Sequence, residues 1–177
     1  MAHSTPFDDL PPFPAANILN VIVETPAGWR CKLKYEAATG LLTLSKYLPA
    51  GLVFPFDFGF VPGTRGDDGD PLDVMLLAEA GSAPGCLIPA RLLGVLQAAQ
   101  TKADGRVVRN DRLLAVPLAS RAYAGLNTLG EIPRPLCEQI EHFLASYGAL
   151  EGDRLEITAR RGPKTASKLI RQASGGH

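Results

Sequence analysis

The stretch Gly66-Asp-Asp-Gly-Asp-Pro-Leu-Asp-Val74 places four carboxylates within seven residues, directly before an apolar segment. Like charges this close repel one another, so a folded chain keeps them together only where water or cations neutralise them. In an extended chain Asp68 and Asp70 lie on one face. The proline kink that follows lets Asp73 rejoin them. The run therefore predicts a site for a hard divalent cation, Mg²⁺ or Mn²⁺, beside a substrate phosphate.

The acidic run also fits a simpler interpretation, an exposed turn rich in Asp and Gly. The apolar segments on both sides favour the metal site instead. Charged residues on three predicted strands are candidates for the same site, namely Glu24, Lys34, Glu36 and Lys46. Taken singly, each has the character of a solvated strand residue, because charged side chains are mostly exposed. Only their combination with the acidic run makes them candidates.

Composition and charge narrow the choice of partners. With 177 residues, of which 46% are apolar, we expect one domain with a substantial core. The 18 basic residues balance the 18 acidic ones, so no overall field favours nucleic acid or a membrane surface. Pro, Gly or Arg interrupts the apolar stretches well before the roughly 18 residues that a membrane span needs. We also expect no secretory leader.

The cysteines and histidines predict no zinc site and no disulfide framework. Cys31, Cys86 and Cys137 are an odd number, are widely spaced and form no CxxC pair. We expect reduced thiols in a cytoplasm. His142 lies in a predicted apolar helix, where a packed or surface histidine is commoner than a metal ligand.

Short apolar segments in the first two thirds of the chain predict a strand-rich fold. The predicted strands cover residues 18–24, 31–36, 41–46, 74–77, 86–97 and 112–117. Gly, Pro and Asp residues separate these segments. Thr39-Gly40 predicts a hairpin between the second and third strands. The pattern is typical of a small closed or partly closed barrel.

The last third of the chain changes to helical periodicity. Apolar residues recur at helical spacing from Pro135, and Gly148 ends the predicted helix. A strand over residues 154–158 and a helix over 164–173 complete the chain. The predicted organisation is a flexible or draped arm (1–16), a single domain (17–173) and a short tail (174–177).

Four motifs, in this order and at this spacing, resemble the soluble family I inorganic pyrophosphatases: VETPA (23–27), KYE (34–36), FPFDFGFVPGT (54–64) and DGDPLDV (68–74). The likeness runs from about Asn20 to Ala173, and the Asp-x-Asp-Pro-x-Asp run is highly specific to that family. The resemblance implies an α+β, mainly β fold, with a five-stranded OB-like barrel and flanking helices packed on it. It also implies a cytoplasmic homo-oligomer, with a hexamer favoured.

The resemblance further implies the hydrolysis of pyrophosphate to two phosphates by a water that a metal activates, with Mg²⁺ or Mn²⁺ as the cofactor. The implied metal ligands are Asp68, Asp70, Asp73 and Asn110. Asp70 is also the implied catalytic carboxylate, which accepts the proton of the attacking water. The implied substrate contacts are Lys34, Lys46, Arg112 and Tyr147, and the implied outer-shell acids are Glu24 and Glu36.

The chain departs from the family pattern at several of these positions. Gln100 and Asn110 stand where the family has aspartates, although a slip of one residue in the alignment gives Asp111 in place of Asn110. Asp104 and Asp111 are candidates to compensate for the missing acids. Phe54 and Phe58 replace tyrosines, Gly148 and Arg112 replace lysines, and Lys46 replaces an arginine. A lysine cannot make the bidentate contact with phosphate that an arginine makes, so the Lys46 contact should be less directional.

Two functions follow from this pattern. Losing one charge-assisted contact in a preorganised site costs ~2.7 to 4 kcal/mol of transition-state stabilisation, so several losses together weaken catalysis. Since the acidic run is intact, we favour a metal-dependent pyrophosphatase that holds one or two divalent ions. The alternative is a weakened or inactive homologue with a binding or regulatory role, or an enzyme for another small phosphorylated substrate.

Overall fold

The protein is described by a computed structural model that covers residue 7 and residues 9–175. The strands are β1 (Ile18–Thr25), β2 (Cys31–Glu36), β3 (Leu41–Tyr47), β4 (Asp57–Phe60), β5 (Asp73–Leu76), β6 (Leu87–Thr101), β7 (Val107–Arg109), β8 (Arg112–Pro117) and β9 (Arg154–Arg161). The helices are α1 (Arg134–Ala149), α2 (Pro163–Ser174) and a 3₁₀ turn, Leu129–Glu131.

Five strands close into a barrel. Hydrogen bonds join them in the order β1-β4-β5-β8-β6, and β6 returns to pair with β1. The closing pair is antiparallel and matches Ile18 with Arg91 and Ile22 with Leu87. β5 and β8 pair in parallel, whereas the other neighbours in the ring are antiparallel. The predicted five-stranded barrel is therefore confirmed, and most predicted strands lie within a few residues of their observed bounds.

The strand β6 is long enough to serve two parts of the fold. It spans 15 residues; its first half closes the barrel, and its second half pairs with β9 and β7 outside the ring. The register of β6 against β8 shifts between Leu92 and Gly94, where the strand changes partners. A Cβ built on Gly94 would lie 2.2 Å from the carbonyl oxygen of Arg161 in β9. Glycine permits this close approach because it has no side chain.

The hairpin of β2 and β3 forms a two-stranded sheet of its own, whose strands do not pair with those of the barrel. It was predicted from the turn at Thr39-Gly40, and the structure confirms it. The amides of both turn residues donate to the carbonyl of Glu36, and Gly40 takes a positive φ of 69°. Because β2 begins soon after β1 ends, the hairpin is held beside the barrel.

The pattern of the sequence did not predict β4, β7 or the 3₁₀ turn. β4 has four residues, all of them buried, so it lacks the alternation that marks a half-exposed strand. β7 has three exposed residues and is a strand only because it pairs with the end of β6. Short elements of this kind depend on their partners more than on their own residues.

Three hydrophobic clusters form the core, and the helices α1 and α2 each contribute to one of the two larger clusters. The cluster under α1 includes Phe54, Phe58, Leu96, Ile140 and Phe143, and the cluster under α2 includes Leu19, Val74, Leu92, Ala166 and Ile170. The predicted flanking helices therefore pack on the core, and the apolar face of α1 is the one that helical periodicity identified. In the described part of the chain, no helix is long and apolar enough to span a membrane.

The described part of the predicted N-terminal arm lies on the barrel. The ring of Phe7 packs edge-on to that of Tyr35, 5.0 Å away, and Asn20 Nδ2 donates to the carbonyl of Pro11 over 2.8 Å. Residues 1–6 and 8 of the arm, and residues 176 and 177 of the predicted tail, lie outside the described residues. The division into arm, domain and tail stays a prediction.

Replacing Gly94 by alanine tests the close approach of β6 and β9. We expect Gly94→Ala to lower the free energy of unfolding by about 1 to 3 kcal/mol, because the new methyl group meets a backbone oxygen that cannot rotate away. Thermal unfolding of Gly94→Ala and of Gly125→Ala gives the comparison, since a Cβ on Gly125 has nothing within 4 Å. Equal melting temperatures for the two variants would contradict this account.

Candidate active site

A cavity of ≈260 Å³ opens where the acidic run meets the hairpin, the start of β8 and the end of α1. Nine of the ten residues predicted for the site line it: Glu24, Lys34, Lys46, Asp68, Asp70, Asp73, Asn110, Arg112 and Tyr147. Glu36 is the exception. It is exposed at the end of β2 and does not line the cavity, so the fold does not bring this predicted outer-shell acid to the other nine.

Local hydrogen bonds fix the loop that carries the acidic run. The amide of Gly66 donates to the carbonyl of Asp70 over 2.8 Å, and Gly69 takes a positive φ of 86° in the turn between them. Asp68 Oδ1 accepts the amide of Asp70 at 3.1 Å. The Thr64 hydroxyl anchors the base of the loop, since it accepts the amide of Leu72 and donates to the carbonyl of Val61. The loop therefore presents its carboxylates from a fixed turn.

Cations of the protein pair with two of these carboxylates. Lys34 Nζ lies 2.8 Å from Asp70 Oδ2, and Arg112 Nη1 lies 2.9 Å from Asp73 Oδ2. The hydrogen bond to Asp70 raises the pKa of Lys34 above its ordinary value, so this lysine is charged at neutral pH. The contact of Lys34 with Asp70 is a charge-assisted hydrogen bond, which is stronger than a neutral one, and the contact of Arg112 with Asp73 is an ion pair.

Lys46 and Tyr147 form a basic and aromatic part of the cavity lining. Lys46 forms an ion pair with Glu151, and its Nζ lies 4.6 Å from the centroid of the Tyr147 ring. Burial, with Glu151 nearby, raises the pKa of Tyr147 above its ordinary value. The phenol therefore stays protonated at neutral pH and can donate a hydrogen bond to an anion.

Gln100 and Asn110, which stand where the resemblance implies aspartates, form a wall of the cavity that we call the neutral wall. Asn110 Nδ2 donates to Gln100 Oε1, and Asn110 Oδ1 accepts from Arg112 Nη1. Gln100 Nε2 in turn donates to Asp153 Oδ2, which also pairs with Lys102 Nζ at 2.9 Å. Each amide therefore has a partner without any metal, and the chain of contacts runs from Asp73 through Arg112 to Asp153.

The structure places Asn110 and Asp111 in different surroundings. Asn110 lines the cavity, whereas Asp111 accepts the amide of Ala98 at 3.1 Å and pairs with Arg109 at 2.5 Å, outside that cavity. Asp104 is exposed and pairs with Arg106. Neither candidate for compensation lines this cavity, but Asp111 lines an adjoining cavity of ≈220 Å³ together with Asp68 and Asp73.

Gly148 stands in α1 where the resemblance implies a lysine, and packing explains the glycine. A Cβ at this position would lie 3.3 Å from Leu155 Cβ on β9. The position therefore faces the contact between α1 and β9, and a larger side chain would force the two elements apart.

The prediction from sequence missed Lys32 and Glu151, which also line the cavity. Alternation along β2 could have identified Lys32, because it lies two residues before Lys34 in a predicted strand. Nothing in the sequence marks Glu151. It follows the end of α1 and meets Lys46 only because the helix ends beside the hairpin.

The donor chemistry of the acidic run fits a hard divalent cation, since it offers carboxylate oxygens only. The Asp70 side chain is 53% exposed and that of Asp73 is 31% exposed, so an ion from solvent can reach both. Within residue 7 and residues 9–175, however, no three His, Cys, Asp or Glu side chains form a group that could hold a metal ion. Asp70 and Asp73 pair with Lys34 and Arg112 instead, and metal ligation by the run stays a prediction.

Comparison with known proteins shows what this chain is similar to. A family profile described as Inorganic pyrophosphatase matches residues 21–175. The inorganic pyrophosphatase of Halalkalibacterium halodurans is 31% identical to this chain, over 86% of this chain and 91% of its own length. That of Synechocystis is 33% identical, over 84% of this chain and 85% of its own length. The crystal structure of inorganic pyrophosphatase from Thermus thermophilus aligns with a TM-score of 0.85 at 27% identity, over 95% of this chain and 96% of that one. The structure from Neisseria gonorrhoeae aligns with a TM-score of 0.84 at 30% identity, over 95% and 96%.

Replacing Gln100 and Asn110 by aspartate tests whether the neutral wall faces a bound metal ion. We expect Gln100→Asp combined with Asn110→Asp to tighten Mg²⁺ binding at least about tenfold, or ~1.4 kcal/mol, because two charged oxygens join the cavity. The same change should lower the melting temperature without metal, since the hydrogen bond from Gln100 to Asp153 is lost. Calorimetry with Mg²⁺ measures the affinity. Gln97→Asp, on the same strand but outside the cavity, is the control, and equal affinities in all three proteins would contradict the assignment of this wall.

Proposed function

The chain belongs to the inorganic pyrophosphatase family and hydrolyses inorganic pyrophosphate to two phosphates, and we propose that it does so in the cavity behind the acidic run. The observation that carries this assignment is the convergence on one cavity of nine implied site residues, which come from six separate elements, the acidic loop and the turn between β7 and β8. The non-catalytic alternative is not favoured, because the relatives compared above are named inorganic pyrophosphatases.

The basic side of the cavity supports a role in binding pyrophosphate. Lys34, Lys46 and Arg112 place three cations around it, and the protonated Tyr147 adds a donor. Each cation is now paired with a carboxylate of the same cavity. A phosphate oxygen can take over such a contact, since it accepts the same charge-assisted hydrogen bonds as a carboxylate. We therefore assign these four residues to the substrate.

The acidic side supplies the base. In this proposal Asp70 accepts the proton of the water that attacks phosphorus, because its half-exposed carboxylate faces Lys34, a substrate contact. Binding of the substrate moves Lys34 from Asp70 to a phosphate oxygen and leaves the carboxylate free to act. Asp68 and Asp73 flank it on the same loop, and Glu24 contributes negative charge from β1.

The family depends on divalent metal ions, and we propose Mg²⁺, with Mn²⁺ as a substitute, held by Asp68, Asp70 and Asp73 with the Asn110 carbonyl nearby. When bound, such an ion neutralises phosphate charge and lowers the pKa of water. The oxygen-only donor set supports this choice.

Two further proposals concern the protein in the cell, a cytoplasmic location and a homo-oligomer with six chains. The location is supported by the described cysteines, all three of which are free. The assembly is supported by exposed apolar residues on one strand, since Leu41, Leu44 and Tyr47 of β3 are 63%, 50% and 74% exposed. Light scattering on the purified chain measures the number of chains.

Replacing Asp70 by asparagine tests the base. We expect Asp70→Asn to fold normally, to bind Mg²⁺ through the remaining acids, and to lose about 10²- to 10⁴-fold in turnover, the usual contribution of a general base. Phosphate release from pyrophosphate measures the turnover, and calorimetry measures the metal binding. Asp104→Asn makes the same chemical change outside the cavity and should leave turnover unchanged. Wild-type turnover in Asp70→Asn would rule out this residue as the base.

A further inference from the structure

Lys32 brings an additional ammonium group into the active-site cavity. Its Cα partner across the hairpin is Lys46, so the two side chains lie on the same face of the sheet. The Lys32 side chain is only 10% exposed, whereas that of Lys34 is 50% exposed. Lys32 is therefore the deepest lysine on this face of the hairpin, and burying its charge requires compensation.

Two neighbours provide that compensation. Lys32 Nζ lies 3.0 Å from Glu24 Oε2 and 4.2 Å from the centroid of the Phe58 ring. A cation above an aromatic face is attracted by the electrons of the ring. Of its three N–H donors, Lys32 uses one, toward Glu24, within residue 7 and residues 9–175. Donors therefore remain for an anion in the cavity.

Glu24 has both of its oxygens engaged. Oε2 accepts from Lys32 at 3.0 Å, and Oε1 accepts the amide of Tyr35 at 2.7 Å. Glu24 is an acid that the sequence assigned to the outer shell of a metal. A divalent ion beside Oε2 would lie next to the Lys32 ammonium, and the two positive charges would repel each other. The lysine and an ion therefore compete for this carboxylate.

The surrounding wall explains why a protein cation can be used here. Gln100 and Asn110 bond to each other and carry no charge, so this part of the cavity offers fewer acids to hold several divalent ions. Pyrophosphate nevertheless brings a high negative charge that must be neutralised. A fixed ammonium meets that need without any metal ligands.

We propose that Lys32 is a built-in cation of the active site, which takes the place of one divalent ion beside Glu24 and supplies its charge to bound pyrophosphate. The inference rests on the proposed function of this cavity. It makes Lys32 a substrate-binding residue, and it predicts that removing the ammonium creates a new metal site.

The experiment compares Lys32→Met with the wild-type protein by calorimetry with Mn²⁺ alone. Methionine keeps an apolar chain beside Phe58 but frees Glu24, so we expect one more Mn²⁺ bound per chain. Lys32→Met combined with Glu24→Gln removes both charges and should bind the wild-type number. Lys168→Met, on the exposed face of α2, is the control for loss of a lysine charge and should also bind the wild-type number.

Kinetics and thermal unfolding give independent readouts. We expect the KM of Lys32→Met for pyrophosphate to rise about tenfold at low Mg²⁺, the size of a lost charge-assisted contact, and to return toward the wild-type value at high Mg²⁺. A merely structural role would not produce this recovery. If Lys32→Met is unstable without metal, Mn²⁺ should raise its melting temperature more than that of the wild type, because the ion neutralises the unpaired Glu24.

The number of bound ions decides the question. An unchanged Mn²⁺ count in Lys32→Met overturns the proposal, and so does an extra ion that persists when Glu24→Gln is added. The failure of the proposed function would have a different signature, since the wild-type protein itself would release no phosphate from pyrophosphate. The Mn²⁺ count still tests Lys32 in that case.

Discussion

Pairing of β1 with β6 is the constraint on which the rest of the structure depends. It turns a row of strands into a closed ring, and closure leaves no free edge among the five barrel strands. The same pair sets the positions of two walls of the cavity, since Glu24 lies at the end of β1 and Gln100 at the end of β6. β6 can both close the barrel and extend to this wall because Gly94 lets it pass close to β9.

Charge compensation then decides how the cavity is built. Four acids of the cavity pair with a cation from another element: Asp70 with Lys34, Asp73 with Arg112, Glu24 with Lys32, and Glu151 with Lys46. Pairs of this kind keep the charges stable when the cavity holds neither ion nor substrate. They can also be exchanged for contacts with phosphate or metal. The amides of Gln100 and Asn110 carry no charge that needs a cation, and they bond to each other, to Asp153 and to Arg112.

Most of the fold could be predicted from the sequence, and nine of the ten residues predicted for the site line one cavity; the exceptions have physical reasons. Alternation and turn residues gave the hairpin, and helical periodicity gave α1 and α2, because one buried face marks each of them. β4 was not predicted because all of its residues are buried, and β7 was not predicted because it is a strand only through its pairing with β6. Within the site, Glu36 was predicted to join the cavity and does not line it, since a strand places alternate residues on one face without fixing how far along it a cavity extends.

The sequence by itself determined the barrel with its helices, the acidic run at Asp68, Asp70 and Asp73, and membership of a pyrophosphatase family, since these depend on local patterns and motifs. Only the tertiary structure decided that Asn110 and not Asp111 lines the cavity, and that Lys32 is paired with Glu24. The reason is that an ion pair or a cavity wall joins residues from distant parts of the chain. Sequence spacing fixes the face on which a side chain lies, whereas packing of the strands and helices fixes what that side chain meets.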